Sequence, residues 1–177
     1  MGISNSFIIP LLLLTFPLIF ASENSDLIKK TCKTTKYYDL CVSSLKSDPT
    51  SPKADTKGLA TIMVGIGISN ATSTYTYLSS QLLSTSNDTS MKKVLKECAD
   101  KYSYANDSLQ ATIQDLGMEN YDYAYTHVTA AQDYPNSCHN AFRRNSGLIY
   151  PVELAKREDG LKRICDVVLG ILDLLGW

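Results

Sequence analysis

Hydrophobic positions recur along this chain at intervals of three and four residues, the spacing that lines one side of a helix. The clearest run is Leu161, Ile164, Val168, Ile171 and Leu175, whose stripe predicts a helix facing a core. A second run starts near Ser90 and places Val94, Leu95, Cys98, Tyr102, Ala105, Leu109, Ile113 and Leu116 on one side, with Gly117 just beyond as a stop. A third, from Asp55 as N-cap to about Ser84, presents Leu59, Ile62, Ile66, Ser73 and Tyr77, with Asn70 off that line. Gly65 and Gly67 inside it form a lone GxG with no preceding strand, which reads as close helix packing rather than a phosphate loop. A fourth, from about Asn120 to Phe142, contains Pro135, which predicts a kink or a division near Tyr134. The short β-like runs TYTYL and YDYAY fall inside these segments and are read as helical.

The connections at Thr85 to Thr89 and Gly117 to Glu119 are short, so successive helices run antiparallel. The expected fold is therefore all-α, an up-down-up-down four-helix bundle. Ahead of it, short helical stretches at about Asp26 to Lys33 and Tyr37 to Ser47 predict a small hairpin, ended by Asp48-Pro49 and a Ser/Pro/Lys-rich linker.

The amino end changes the picture of where the chain works. Phe7 to Phe20 reads FIIPLLLLTFPLIF, followed by Ala21, Ser22 and the charged Glu23, an apolar run too short and too proline-broken for a membrane span. It predicts a secretory signal peptide over residues 1–22 and a mature domain over 23–177, although the first residues carry no Lys or Arg. With 17 basic and 18 acidic residues the formal charge is −1, which offers no footprint for nucleic acid or an anionic membrane. Asn70, Asn87 and Asn106 head N-x-Ser/Thr triplets and are candidate glycan acceptors on the secretory route.

Five cysteines allow fifteen ways of forming two bridges. Cys98 and Cys138 both lie about 30 Å from a turn centred near Met118, at one level of an antiparallel pair, and can face each other. Cys32 and Cys41 sit across a polar turn and suit a clip on the short hairpin. Loop-closure entropy assigns about 2.7 kcal/mol to the small loop and about 3.9 kcal/mol to the large one. Cys165 adjoins the stripe of the last helix and reads as a buried, inert thiol. No CxxC spacing and only two histidines, His127 and His139, argue against zinc, and neither histidine receives a role. No cofactor is called for. Nothing in the spacing of the acidic residues singles out a catalytic carboxylate pair, and Cys165 has no histidine partner in its helix, so the chain reads as a binder and not an enzyme.

Cys32 and Cys41, the SLKSDPTSPKADTKGLA that follows, KECADKY around Cys98 and VTAAQDYPNSCHNAF around Cys138 together resemble the plant invertase and pectin methylesterase inhibitors. The resemblance covers nearly the whole mature chain. It implies a bundle with an N-terminal hairpin, bridges Cys32–Cys41 and Cys98–Cys138, residence in the cell wall or vacuole, and a one-to-one protein complex that plugs the cleft of a carbohydrate-processing enzyme. Invertase inhibitors of this family often carry a Pro-Lys-Phe tripeptide on the segment that reaches the sugar site. Tyr121-Asp122-Tyr123 stands there in this chain, and a carboxylate is repelled by an acidic catalytic pocket. The last helix, LKRICDVVLGILDLL with its Cys165, resembles that of some pectin methylesterase inhibitors. Pectin methylesterase is therefore placed ahead as the target, with acid invertase as the alternative and a non-inhibitory interaction protein on the same fold as the third reading. Candidate contact residues are Tyr121, Asp122 and Tyr123; Tyr104 and Tyr125, expected to be exposed; and Ser137 and Asn140, which flank Cys138.

Overall fold

The computed structural model describes residues 26–85 and 88–176. The expected signal peptide and Asn87 lie outside them. A first helix, α1, covers residues 26–32. It is followed by α2 (Tyr38–Ser47), a 3-10 turn (Ser51–Lys53), α3 (Thr56–Ser84), α4 (Thr89–Gly117), α5 (Tyr121–Arg144) and α6 (Val152–Leu172). The all-helical order follows the expected one, and the connectors are as short as read from the sequence. Two aspartates start α3 and α4: the Asp55 carboxylate accepts from the Gly58 amide at 2.7 Å, and that of Asp88 from the Met91 amide at 2.9 Å.

α4 packs along both α3 and α5, and α6 closes the bundle against α3 and α5. Leu161, Ile164, Val168 and Ile171 of α6 are buried as expected, as are Val94, Leu95, Tyr102, Ala105 and Leu109 of α4. Two expectations need correction. Pro135 does not divide the fourth segment, because α5 runs unbroken from Tyr121 to Arg144 with Pro135 buried inside it. The proline removes one ladder donor, but the disulfide three residues further on ties this part of α5 to α4. On α3 the buried seam is Leu59, Ala60, Met63, Val64, Gly67, Ala71, Thr74 and Leu78, while Ser73 is exposed. The helix has neighbours on two sides, α4 and α6, so its buried face is wider than the single line drawn through Ile62 and Ile66.

Gly65 and Gly67 of that helix differ. A Cβ at Gly67 would stand 3.1 Å from Leu109 Cδ1 and 3.4 Å from Ile164 Cγ2, whereas one at Gly65 would meet nothing within 4 Å. Only Gly67 permits close approach. Gly65→Ala is expected to stabilise the fold by about 0.5–1 kcal/mol, by restricting the unfolded chain and raising helix propensity. Gly67→Ala is expected to lose that gain to the shift it forces on Leu109. Denaturant unfolding of both variants checks the contrast.

Both disulfides join the expected partners, with Cα–Cα distances of 5.6 Å for Cys32–Cys41 and 4.6 Å for Cys98–Cys138. Cys165 is fully buried, and burial, aided by the nearby Asp166 carboxylate, pushes its thiol up to about 12. It stays protonated and unreactive at ordinary pH. The N-terminal hairpin lies on α6, where the Thr34 hydroxyl donates to the Gly170 carbonyl at 2.9 Å and Lys36 pairs with Asp166 at 3.2 Å. This close seat depends on Gly170, since a Cβ there would come within 2.9 Å of Thr35 Cα.

Candidate target-binding surface

The end of the bundle formed by the α4/α5 turn is built by a recognisable helix stop. The Asn120 amide donates to the Asp115 carbonyl at 2.9 Å and the Glu119 amide to that of Leu116 at 3.3 Å, the paired bonds of a Schellman motif. That motif needs a left-handed residue at the position Glu119 occupies, and Glu119 has φ 60°. Gly117, the stop expected from sequence, remains the last residue of α4. From Asn120 the chain enters α5 directly, so Tyr121, Asp122 and Tyr123 form its first turn.

These three residues line a shallow hollow of about 260 Å³ with Glu119, Asn120 and Gly176. Tyr123 is 66 % exposed and Met118 63 %. Tyr121 is half-buried against the core. Lys57, at the start of α3, reaches this turn and pairs with Glu119 at 2.9 Å. The hydrogen bond it donates to Glu119, and then the charge of that carboxylate, hold the Lys57 ammonium above its ordinary range, and Tyr121 acts in the same direction.

The other candidates lie along the side of the bundle. Tyr104 is 48 % exposed, with its ring 5.7 Å from that of Tyr134 and the Lys101 ammonium 5.5 Å from its centroid. Tyr125 is not exposed as expected, because its place on α5 turns it partly into the bundle, packed against the core. Ser137 is half-buried and Asn140 exposed. Asp122 and Asn140 stand five helical turns apart on one face of α5, about 27 Å along the axis. The candidates thus form a tip and a lateral stripe, and the structure does not gather them into a single pocket.

Sequence reasoning missed what fixes α5 on either side. His127 Nδ1 lies 2.7 Å from Asp115 Oδ2 on α4, and His139 Nδ1 lies 3.2 Å from Glu158 Oε2 on α6. Glu158, only 8 % exposed, also accepts from the Tyr150 hydroxyl at 2.8 Å and from Lys162 at 3.1 Å. The Tyr150 ring stacks on His139 at 4.3 Å and meets Phe142 edge-on at 5.1 Å. Each imidazole has a buried carboxylate beside it, and together they bolt α5 to both neighbours.

Of the expected glycan acceptors, Asn70 turns its side chain into the seam between α3 and α6. Its Oδ1 is buried, and a Cβ at Gly160 would lie 3.2 Å from its Nδ2. Asn106 Nδ2 donates to the Thr72 hydroxyl at 2.6 Å.

The family model described as "Plant invertase/pectin methylesterase inhibitor" matches residues 26–171, from the start of α1 to the last turn of α6. The chain belongs to this inhibitor family. It is 62 % identical over 154 residues to "Cell wall / vacuolar inhibitor of fructosidase 2" of Arabidopsis thaliana, across 87 % of this chain and 86 % of that protein. It is 38 % identical over 162 residues to "Pectinesterase inhibitor 28" of Oryza sativa subsp. japonica, across 88 % of this chain and 71 % of that one. Among solved structures it resembles a mutant form of an Arabidopsis pectin methylesterase inhibitor, with TM-score 0.68 and 20 % identity over 83 % of this chain and 95 % of that one. At that identity the structural likeness speaks for the fold. As a member of this plant invertase/pectin methylesterase inhibitor family, the protein is an inhibitor with an enzyme as its partner, and is not itself an enzyme.

Proposed function

We propose that this protein inhibits an acid invertase of the cell wall or vacuole, in a one-to-one complex in which the α4/α5 end of the bundle enters the enzyme's cleft. The observation that supports this most is the 62 % identity, over most of both chains, to a protein named as an inhibitor of fructosidase. Whole-chain similarity here outweighs the local charge argument at Asp122, which had put pectin methylesterase first. The hollow at the tip holds Glu119 as well as Asp122, and Lys57 offsets the first of these carboxylates. In this reading Tyr121, Asp122 and Tyr123 make the central contact, and Tyr104, Ser137 and Asn140 extend it along α4 and α5. Residues 1–22 direct export and are removed, and Asn70, Asn87 and Asn106 are the glycan acceptors.

Pectin methylesterase remains the second reading, supported by the 38 % identical rice relative and by the carboxylate at Asp122. Titrating the purified, oxidised protein into an acid invertase and into a plant pectin methylesterase, at acidic and neutral pH, separates the two. The expected result is loss of invertase activity at one equivalent with the esterase untouched. Loss of esterase activity alone would transfer the assignment to the second reading, and no loss in either assay would favour a non-inhibitory interaction protein.

A further inference from the structure

We propose that Lys57 is a positioning residue for target binding: from the start of α3 it holds Glu119 in the left-handed conformation that aims Tyr121, Asp122 and Tyr123. The inference rests on the reading that this tip contacts the target. Among the described residues Glu119 is the one non-glycine with positive φ, and it occupies the helix-stop position where glycine is strongly favoured. A side chain there must be held by its surroundings, and left-handed residues of this kind concentrate at functional sites.

The surroundings supply one strong side-chain restraint. Lys57 Nζ lies 2.9 Å from Glu119 Oε1, joining residues 62 positions apart and tying the first turn of α3 to the turn between α4 and α5. The entry into α5 provides no comparable anchor, because Asn120 at its N-cap makes no side-chain capping bond. The backbone bonds of the helix stop shape the turn from within, and Lys57 adds a tie from outside the hairpin. The Lys57 side chain is 32 % exposed and that of Glu119 65 %, so water reaches the pair and screens part of its attraction. An ordinary surface ion pair contributes little to stability. The role assigned to this one is conformational: it selects the φ of one residue, and the next four residues inherit their direction from it.

The test is an epistasis experiment on the full oxidised chain. Lys57→Met keeps the apolar stem and removes the charge, Glu119→Gly makes the left-handed conformation free of side-chain strain, and the double variant combines them. Circular dichroism confirms that each retains its helices. Amide exchange of residues 118–124 and the inhibition constant against acid invertase are the readouts. Lys57→Met alone is expected to speed exchange at the turn and to weaken inhibition about threefold to fivefold, as the cost of ordering the tip moves into the binding step. In the Glu119→Gly background the same substitution is expected to change neither readout, since glycine holds the turn without the strut. Equal weakening in both backgrounds would overturn the proposal and make Lys57 a direct contact of the target. Unchanged exchange in the single variant would also overturn it. Faster exchange with undiminished inhibition would remove the tip from the interface and overturn the proposal through the reading it rests on, leaving Lys57 a strut of the turn alone.

Discussion

Replacing Cys98 and Cys138 together by alanine is expected to lower the unfolding free energy by about 4 kcal/mol, measured by denaturant titration of the oxidised proteins. The bridge closes a loop that contains most of the α4/α5 hairpin, 40 residues in sequence, so its loss returns to the unfolded chain about 3.9 kcal/mol of configurational freedom. Both cysteines are fully buried, and the pair of alanines also leaves unfilled volume between the helices. Against a usual net stability of about 5–15 kcal/mol this is a large share. Removing Cys32 and Cys41 is expected to cost about 2.7 kcal/mol at most, and to act on the N-terminal hairpin more than on the bundle. A loss under about 1 kcal/mol for the Cys98/Cys138 variant would show that packing alone holds α4 to α5.

Glu158→Ala is expected to destabilise the protein by about 2–3 kcal/mol and to release the segment between α5 and α6. Removing the carboxylate leaves the Tyr150 hydroxyl, the Lys162 ammonium and His139 without their common partner. Lys162 is about one-third exposed, at 34 %, and water compensates part of its loss, which keeps the expected cost at the lower end for a buried charged group. Glu158→Gln, which still accepts from Tyr150, is expected to recover about half. Burial, and next the hydrogen bond to Glu158, hold the Tyr150 hydroxyl well above its ordinary range. A group whose pKa rises on folding contributes stability below its unfolded value, so this contribution is present up to about pH 10 and falls as pH climbs further. Urea titrations of the three proteins at neutral pH and above pH 10 check both statements. A flat result for Glu158→Ala would mean that Tyr150 is held by its rings alone.

How much of this was legible in the sequence depends on the distance over which the information acts. Helix existence and order are readable because apolar spacing, Asp55 and the short connectors act within a few residues, whereas the stop of α4 falls at Glu119 and not at Gly117. The bridge from Cys98 to Cys138 was approachable because an antiparallel hairpin converts equal distances from a turn into equal height. The buried side of α3 was misjudged because Ile62 and Ile66 advertise one line while Gly67 and Ala71, small and easily overlooked, mark where neighbouring helices come closest. Glu158 was hidden inside KREDGLKR, a charged run that reads as a solvated face, and only the folded chain brings His139 and Tyr150 to it. The tip residues were picked by resemblance. What holds them, Lys57 and the backbone of Glu119, left no trace at any local spacing, since the pair is 62 positions apart. The choice between two target enzymes was the least legible, because the shared scaffold is indifferent to it.

α5 is fixed at three points, to α4 by the Cys98–Cys138 bridge and by Asp115 against His127, and to α6 by Glu158 against His139. A surface so restrained has few alternative shapes to give up when it docks. Its partner must accept the form offered, and sequence changes at the rim will then register chiefly in how long the complex lasts once made.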